Sequence, residues 1–360
     1  MKLLQYIRIH GLAAAIMINS LMALSSCDNA IYDDEGDCSV TYRLKFRYDM
    51  NLKWADAFAS EVNSVNVYAF DLDGILVWEK SDSGEALATD GYNMVLDLPA
   101  GDYELVAWCG LYNPQSSEES FEIPHTTIGR TTIDELTNRM RRDIDADGNH
   151  SSRRRLDFMF HGRINVSLPA NDDGGDYTYT MPLTKDTNHI RIILQHLSGE
   201  DLDADDFTFT LEDDNGYLSH DNSIIADNSI TYRPWATTSG TAGVGKDDID
   251  DARSRAIISV KGAIADFTVS RMMADHKRKM KLTITNDEGE VVARVPVIDY
   301  ALLSKTYYEE AYRHPMTDQE FLDREDEYVL TFFLDRNNKW LSASILIHSW
   351  HIVLSNIDLD

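Results

Sequence analysis

Basic side chains are scarce in this 360-residue chain. There are 33 Lys and Arg against 61 Asp and Glu, which gives a formal net charge of −28 at pH 7. A field of that sign repels phosphate backbones and anionic lipid surfaces, so the composition argues against a nucleic-acid partner. Membrane attachment, if the protein has any, must therefore come from a covalently attached lipid.

Recognisable catalytic motifs are also missing. The 11 histidines are scattered, and neither H-E-x-x-H nor G-x-S-x-G occurs in the sequence. The glycine-rich stretch 240–246 ends in Gly-Lys like a phosphate loop, but Asp247 follows where Ser or Thr is required. We therefore expect a protein that is not an enzyme and needs no cofactor.

Cysteine is rare, with three residues in the whole chain. Cys27 belongs to the N-terminal signal described below, which leaves Cys38 and Cys109 as an even pair in a chain that passes through an oxidising compartment. The pair is compatible with one disulfide, because the two residues flank strand-like segments. Two buried free thiols are the alternative, since free cysteine is among the most buried residue types.

An apolar run long enough to span a bilayer is absent, but a shorter one opens the chain. Lys2 and Arg8 precede apolar residues from Gly11 to Leu24, and Leu24-Ser25-Ser26-Cys27 follows as a lipobox. We predict that residues 1–27 are a lipoprotein signal and that Cys27 carries diacylglycerol and an acyl chain. Residues 28–37 are acidic and poor in apolar side chains, and are interpreted as a solvated tether.

Long helical patterns are few, whereas alternation of apolar and polar residues recurs along the chain. The segment from Val40 to Tyr48 alternates with a period of two, and Asp73-Gly74 predicts a hairpin turn between two further strands. Capping boxes at Thr132 and Thr317 predict two short helices, the first of them running to about Arg142. This pattern predicts an all-β protein with few short helices, built from antiparallel sandwiches.

Chain length favours two domains. The polar stretch 184–188 lies near the middle of the mature chain and is followed by a new alternation. We therefore predict an N-terminal β-sandwich domain over residues 38–186 and a C-terminal β-sandwich domain over residues 187–360.

One acidic loop partly matches a calcium-binding motif. Asp143, Asp145 and Asp147 occupy positions 1, 3 and 5, and Gly148 occupies position 6. Position 12 is Arg154, however, where the motif requires a bidentate glutamate. An acidic surface loop is therefore the favoured interpretation, and no metal is expected. The arginines around this loop are interpreted as pairing with nearby acids.

Several stretches together resemble the FimB/Mfa type of fimbrial anchor lipoproteins of Gram-negative anaerobes. They are Cys27-Asp28, 31–38, Phe46-Arg47-Tyr48-Asp49, 55–58, 67–71, 98–110, 345–350 and 357–359. The resemblance implies two tandem transthyretin-like Greek-key β-sandwich domains. It also implies attachment to the outer membrane through Cys27, and a role in holding a fimbrial stalk on the cell and limiting its length.

Fimbriae of this kind are expected to assemble by donor-strand exchange, which is a form of β-augmentation. We expect a strand over Ser344–Leu354 to lie at or near the edge that meets the stalk subunit. Its apolar contributors are Ile345, Ile347, Ile352 and Leu354. The alternative is that this strand belongs to the C-terminal core.

A different class of function is a surface lipoprotein with a glycan-binding β-sandwich. This function would require exposed tryptophans to form one platform. The candidate residues are Trp54, Trp78, Trp235 and Trp340.

Overall fold

The structure is a computed structural model. It describes residues 40–89, 91–111, 119–170, 174–196, 198, 200–243, 259–275, 280–335, 340–347 and 350–355. For residues 241–243, 259–261, 340–347 and 350–355, only the backbone is described. Cys27, Cys38 and the predicted tether lie outside the described residues.

The described residues between 40 and 185 form eleven strands. They are β1 (Val40–Arg47), β2 (Ser64–Phe70), β3 (Leu76–Ser83), β4 (Met94–Leu96), β5 (Gly101–Cys109), β6 (Phe121–Glu122), β7 (Asn138–Met140), β8 (Asp143–Ile144), β9 (His150–Ser152), β10 (Phe160–Leu168) and β11 (Gly175–Lys185). One short helix, α1 (Phe58–Glu61), lies between β1 and β2.

The described residues after 186 contribute eleven more strands and three short helices. The strands are β12 (Thr187–His196), β13 (Phe207–Asp213), β14 (Tyr217–Leu218), β15 (Ile230–Tyr232), β16 (Ala236–Gly243), β17 (Ser259–Ser270), β18 (Lys281–Asn286), β19 (Val291–Pro296), β20 (Glu327–Leu334), β21 (Trp340–Ile347) and β22 (Trp350–Ser355). The helices are α2 (Val297–Leu302), α3 (Lys305–Tyr312) and α4 (Asp318–Arg324). The predicted all-β fold with few short helices is therefore confirmed.

The first sheet has seven strands in the order β3-β2-β5-β10-β11-β1-β4. Its two parts separate at β10 and β11, whose pairing ends at Gly162 and Leu183 although both strands continue. Pro182 lacks an N–H at this point, and a side chain on Gly162 would meet Met181 and Leu183 at 2.7 Å. The strands therefore part here, and β11, β1 and β4 form a separate layer.

The C-terminal half contains two further sheets. One has the order β16-β17-β12-β20-β21-β22, and the other has the order β19-β18-β13-β15-β9-β8. Strands β8 and β9 come from the N-terminal half of the chain, and β9 pairs with β15 in parallel. Strand pairing therefore crosses the predicted boundary at residue 186, and the division into tandem domains stays a prediction.

Two hydrophobic cores follow from this arrangement. The core of the first sheet includes the buried side chains of Leu44, Phe46, Val67, Leu105 and Phe160. The second core is larger and includes Ile192, Phe209, Phe267, Leu282 and Phe332, and it extends to Trp108 and Phe70 on the other face of the first sheet. Because this second core continues across both halves, burial of apolar surface holds them together.

The capping boxes have different outcomes. Thr317 accepts a hydrogen bond from the Glu320 amide at 3.0 Å and begins α4, as predicted. The box at Thr132 forms as well, but it begins a 3-10 turn over Ile133–Glu135. The expected helix to Arg142 is wrong, because residues 138–140 instead pair as β7 with β6 and β14.

Candidate assembly surface and anchor segment

The C-terminal segment forms a hairpin at the edge of a sheet. The expected single strand over Ser344–Leu354 is instead two antiparallel strands, β21 and β22, separated by residues 348 and 349. β21 lies between β20 and β22, so Ile345 and Ile347 lie on a strand that is paired on both sides. Ile352 and Leu354 lie on β22, which is the last strand of the sheet.

The register places all four predicted contact residues on one face. Ile345 is opposite both Leu330 on β20 and Ile352 on β22, and directly opposed residues share a face of the sheet. On β20 that face carries Leu330 and Phe332, which are buried. These positions therefore belong to the core-facing side, and the part of the hairpin that is open for assembly is the backbone edge of β22.

Edge strands expose unpaired backbone groups and are usually protected by charge, proline or short length. Among the described edges, β3 carries Glu79 and Lys80, β19 carries Arg294 and ends at Pro296, and β4, β6, β8 and β14 are very short. β16, at the other end of the same sheet as β22, is also uncharged, but it consists of Ala, Thr, Ser and Gly. β22 has the sequence Trp-His-Ile-Val-Leu-Ser, without Lys, Arg, Asp, Glu, Pro or Gly. Among the described edges, β22 therefore combines an apolar sequence with the absence of charge, proline and glycine, which are the features that favour strand addition.

The polar stretch at 184–188 is a buried junction, not a solvated linker. β11 ends at Lys185 and β12 begins at Thr187, so Asp186 alone separates them. Lys185 Nζ lies 3.0 Å from a carboxylate oxygen of Glu61 and also binds Asp326. Because Glu61 belongs to the N-terminal half and Asp326 to the C-terminal half, this ammonium ties the two together.

Asp186 is fully buried beside the same junction. Its Oδ1 accepts a hydrogen bond from Asn222 Nδ2 at 2.9 Å and lies 3.6 Å from Arg271 Nε. Burial raises the pKa of Asp186 from 3.8 to about 7, against the opposing effect of Arg271. Arg271 Nη2 also lies 2.8 Å from Asp323 Oδ2, and the negative charge of Asp323 raises the pKa of Asp186 further. Sequence patterns gave no sign of this network, because its members are distant along the chain.

The loop with Asp143, Asp145 and Asp147 is a turn between β8 and β9. Oδ1 of Asp145 accepts hydrogen bonds from the backbone amides of Asp147 and Asn149, both at 2.9 Å. The Asn149 side chain and these amides lower the pKa of Asp145 by hydrogen bonding to its charged form. Within the described residues, no group of three or more His, Cys, Asp or Glu could hold a metal ion.

The arginines around that loop mostly have acidic or aromatic partners. Arg142 binds the buried carboxylate of Asp227. Arg139 lies over the ring of Tyr217 at 4.4 Å. These contacts attach the insertion to the C-terminal half, in agreement with the interpretation as a region paired to nearby acids.

Cys109 is completely buried at the end of β5. In the register of the sheet, Cys109 is opposite Phe160 on β10, and Phe160 is opposite Lys185 at the end of β11. Val40, two residues after Cys38, is opposite Gly175 at the other end of β11. Cys38 lies outside the described residues, so the Cys38–Cys109 disulfide and the alternative of two free thiols both stay predictions.

The described tryptophans do not form a shared platform. Trp54 packs against Arg324 and His314, and Trp235 lies beneath Arg155. Trp78 lies on the edge strand β3 and packs on the first core. The side chain of Trp340 is outside what the structure describes. No described residue therefore supports the predicted glycan platform made from these four rings.

A mostly β chain whose sheets enclose two hydrophobic cores, with an apolar strand at the edge of one sheet, has the architecture of a β-sandwich protein. The family model of fimbrillin-A associated anchor proteins Mfa1 and Mfa2 matches residues 34–356. The chain belongs to this family, as its sequence motifs indicated. None of the helices in the described part of the chain has the length and apolar composition of a transmembrane span.

Known relatives agree with this assignment. The minor fimbrium anchoring subunit Mfa2 of Porphyromonas gingivalis is 24% identical over 302 residues, covering 81% of this chain and 82% of that protein. A crystal structure described as an adhesin from Bacteroides thetaiotaomicron is 30% identical, has a TM-score of 0.73, and covers 89% of this chain and 100% of its own. The structure of P. gingivalis Mfa2 has a TM-score of 0.60 at 19% identity, covering 88% of this chain and 100% of its own, and shows the shared fold.

Proposed function

We propose that this protein is the lipid-anchored subunit at the base of a fimbrium. Cys27 would hold the chain on the outer membrane, with the folded part at the cell surface, and the stalk subunit would join it by strand addition. Family membership supports the anchoring role, and the apolar, unprotected edge of β22 is the observation that carries the mode of attachment.

The chemistry of attachment is β-augmentation. An extended segment of the stalk subunit would lie beside β22 and bond to its free N–H and C=O groups. These main-chain hydrogen bonds supply affinity, and alternate side-chain positions set the register. The acyl chains supply the membrane affinity that this acidic surface cannot provide electrostatically.

Length control follows from the same arrangement. A stalk subunit can pass its terminal strand to a neighbour, whereas a chain held in the membrane by Cys27 keeps its N-terminus. Such a chain therefore presents one assembly edge only, and a fibre joined to it stops growing at that end.

The test is a Cys27→Ala substitution in the native cell. We expect fimbriae to appear in the medium, and to be longer, while the amount of stalk subunit is unchanged. The matched control is Ser25→Ala, which keeps the cysteine and the small residues before it. If fimbriae remain on the cell at normal length while only this protein changes location, the anchoring proposal is wrong.

Glycan binding is the second candidate function. It is favoured by a crystal structure from B. thetaiotaomicron that is described as polysaccharide-binding, with 28% identity and a TM-score of 0.71, covering 88% of this chain and 99% of its own. A glycan pull-down with the purified protein tests it, and retention that survives Trp78→Ala and Trp235→Ala would show that these rings are not the binding surface.

A further inference from the structure

Strand β1 runs from the point where the described chain begins toward the start of the C-terminal half. Val40, where the described chain begins, is opposite Gly175, and Arg47, where β1 ends, is opposite Pro182 near the end of β11. The chain therefore enters the fold at one end of this strand pair. The C-terminal half begins at the other end, directly after Lys185.

Contacts beyond the end of β1 hold it to the C-terminal half. Arg324 Nη1 donates to the backbone oxygen of Asp49 at 3.1 Å. The Leu52 amide donates to the Arg324 backbone oxygen at 3.1 Å. Tension between the tether and the C-terminal half would therefore act along β1.

β1 and β11 are parallel, and eight consecutive residue pairs join them. In a parallel pair the hydrogen bonds are evenly spaced along the strands. When the start of one strand and the end of the other are pulled apart, the strands must slide past each other. All of these bonds then carry the load together. If the two starts are pulled apart, the bonds break one after another from that end.

We propose that the β1–β11 ladder is a load-bearing clamp that resists extraction of the N-terminal strand when the protein is pulled between its tether and its C-terminal half. The source of the load in the cell rests on the proposed anchoring function. The resistance itself follows from strand direction and register, so it can be measured on the isolated protein.

Packing adds to the clamp. The side chains of Leu44, Phe46 and Tyr48 are almost completely buried in the first core, so sliding β1 also exposes apolar surface. β4 pairs with the other side of β1 over three residues. β1 is therefore held on both of its edges and by its buried face.

The test compares two pulling directions in the same protein by single-molecule force spectroscopy. The mature chain is made without acylation in a Cys38→Ser background, with one handle on the Cys27 thiol. The second handle is on Glu327→Cys, an exposed position on β20 beside Asp326, for sliding. In the comparison variant the second handle is on Ala170→Cys, an exposed position on the β10–β11 connection near Gly175. Pulling there separates the starts of β1 and β11, so the hydrogen bonds break one after another. Forced unfolding reports the unfolding barrier and not the equilibrium stability.

We expect the force that releases β1 to be several-fold higher with the 27/327 handles than with the 27/170 handles. Equal thermal stability of the two variants controls for damage by the new cysteines. Equal rupture forces, or release of β1 at low force with the 27/327 handles, would overturn the clamp. Neither result would affect the anchoring proposal, which depends on where fimbriae are found in cells carrying Cys27→Ala.

Discussion

The guanidinium carbon of Arg324 lies 3.7 Å from the centre of the Trp54 ring. Arg324 is on α4, and Trp54 follows β1, so the stack joins the two halves of the chain. Trp54 has φ of +53°, an uncommon backbone conformation for a bulky side chain. Such a conformation persists when surrounding contacts determine it, and here the stacking arginine and the adjacent ring of His314 do so.

Replacing Arg324 with alanine should destabilise the protein. The side chain also binds Glu320 at 3.0 Å and donates to the Asp49 backbone. Loss of a buried, charge-assisted contact of this kind should lower the free energy of unfolding by roughly 2–4 kcal/mol. Chemical denaturation measures the change, with exposed Arg294→Ala as the control. Equal midpoints for both variants would show that the stack does not hold the halves together.

Gly110→Ala should be more damaging than Gly91→Ala. Both glycines have positive φ, +83° and +79°, so both substitutions strain the backbone equally. A Cβ on Gly110 would lie 1.8 Å from the Phe158 backbone oxygen, whereas nothing lies within 4 Å of a Cβ on Gly91. The additional steric conflict should cost at least about 2 kcal/mol. Thermal melting of the two variants checks this, and similar melting temperatures would contradict the close approach.

Local features of the fold could be predicted from the sequence, but its long-range pairings could not. Alternation gave the span of β1 almost to the residue, and Asp73-Gly74 gave the β2–β3 turn, because both signals depend on neighbouring residues. The parallel pairing of β1 with β11 has no local signal. The break between β21 and β22 was missed, although two polar residues, His348 and Ser349, interrupt the apolar run there.

The candidate assembly edge was predicted only in part. Residues 344–354 were identified as a C-terminal contact segment because they are apolar. Such a pattern fits a core strand as well as an edge strand, since both need one apolar face. Only the sheet order distinguishes β21, which is paired with a strand on both sides, from β22, which is the edge strand. The polar stretch around Asp186 predicts a domain boundary, whereas the structure has a buried junction there. The sequence does not distinguish the two, because a charged residue has the same sequence signature whether it is buried or exposed.

Stability should depend on pH through Asp186. Burial raises the pKa of this carboxyl from 3.8 to about 7, with Asn222, Arg271 and Asp323 as its neighbours. The folded state therefore holds the proton more tightly than the unfolded state. The resulting stabilisation is complete below pH 4 and is lost as the pH rises through about 7.

Asp186→Asn removes this titration. We expect the wild type to lose stability relative to Asp186→Asn between pH 4 and pH 7, as measured by urea denaturation at several pH values. Exposed Asp97→Asn is the matched control and should follow the wild type. A constant difference between wild type and Asp186→Asn over this range would show that the carboxyl does not change protonation there.

Both remaining cysteines should be free thiols. Cys109 and Val40 lie at opposite ends of the first sheet, and burial raises the pKa of the Cys109 thiol. Alkylation of the native protein should therefore leave Cys109 unmodified, because the thiolate is the reactive form. Alkylation in denaturant without a reductant should modify both Cys38 and Cys109, as read by peptide mass. A Cys38–Cys109 disulfide would instead protect both residues until a reductant is added.

Charges along β22 should block stalk attachment without unfolding the protein. His351 and Val353 alternate with the core-facing positions of this strand, so lysine at both positions adds charge on the other face of the sheet. Inward or edge charges are the means by which proteins prevent strand addition. We expect the double variant His351→Lys, Val353→Lys to keep its circular dichroism spectrum and melting temperature, and to lose co-purification with the stalk subunit. Val291→Lys, on the edge strand β19, is the matched control and should keep the stalk. If the β22 variant retains the stalk subunit at the wild-type level, the assembly edge lies elsewhere on the protein.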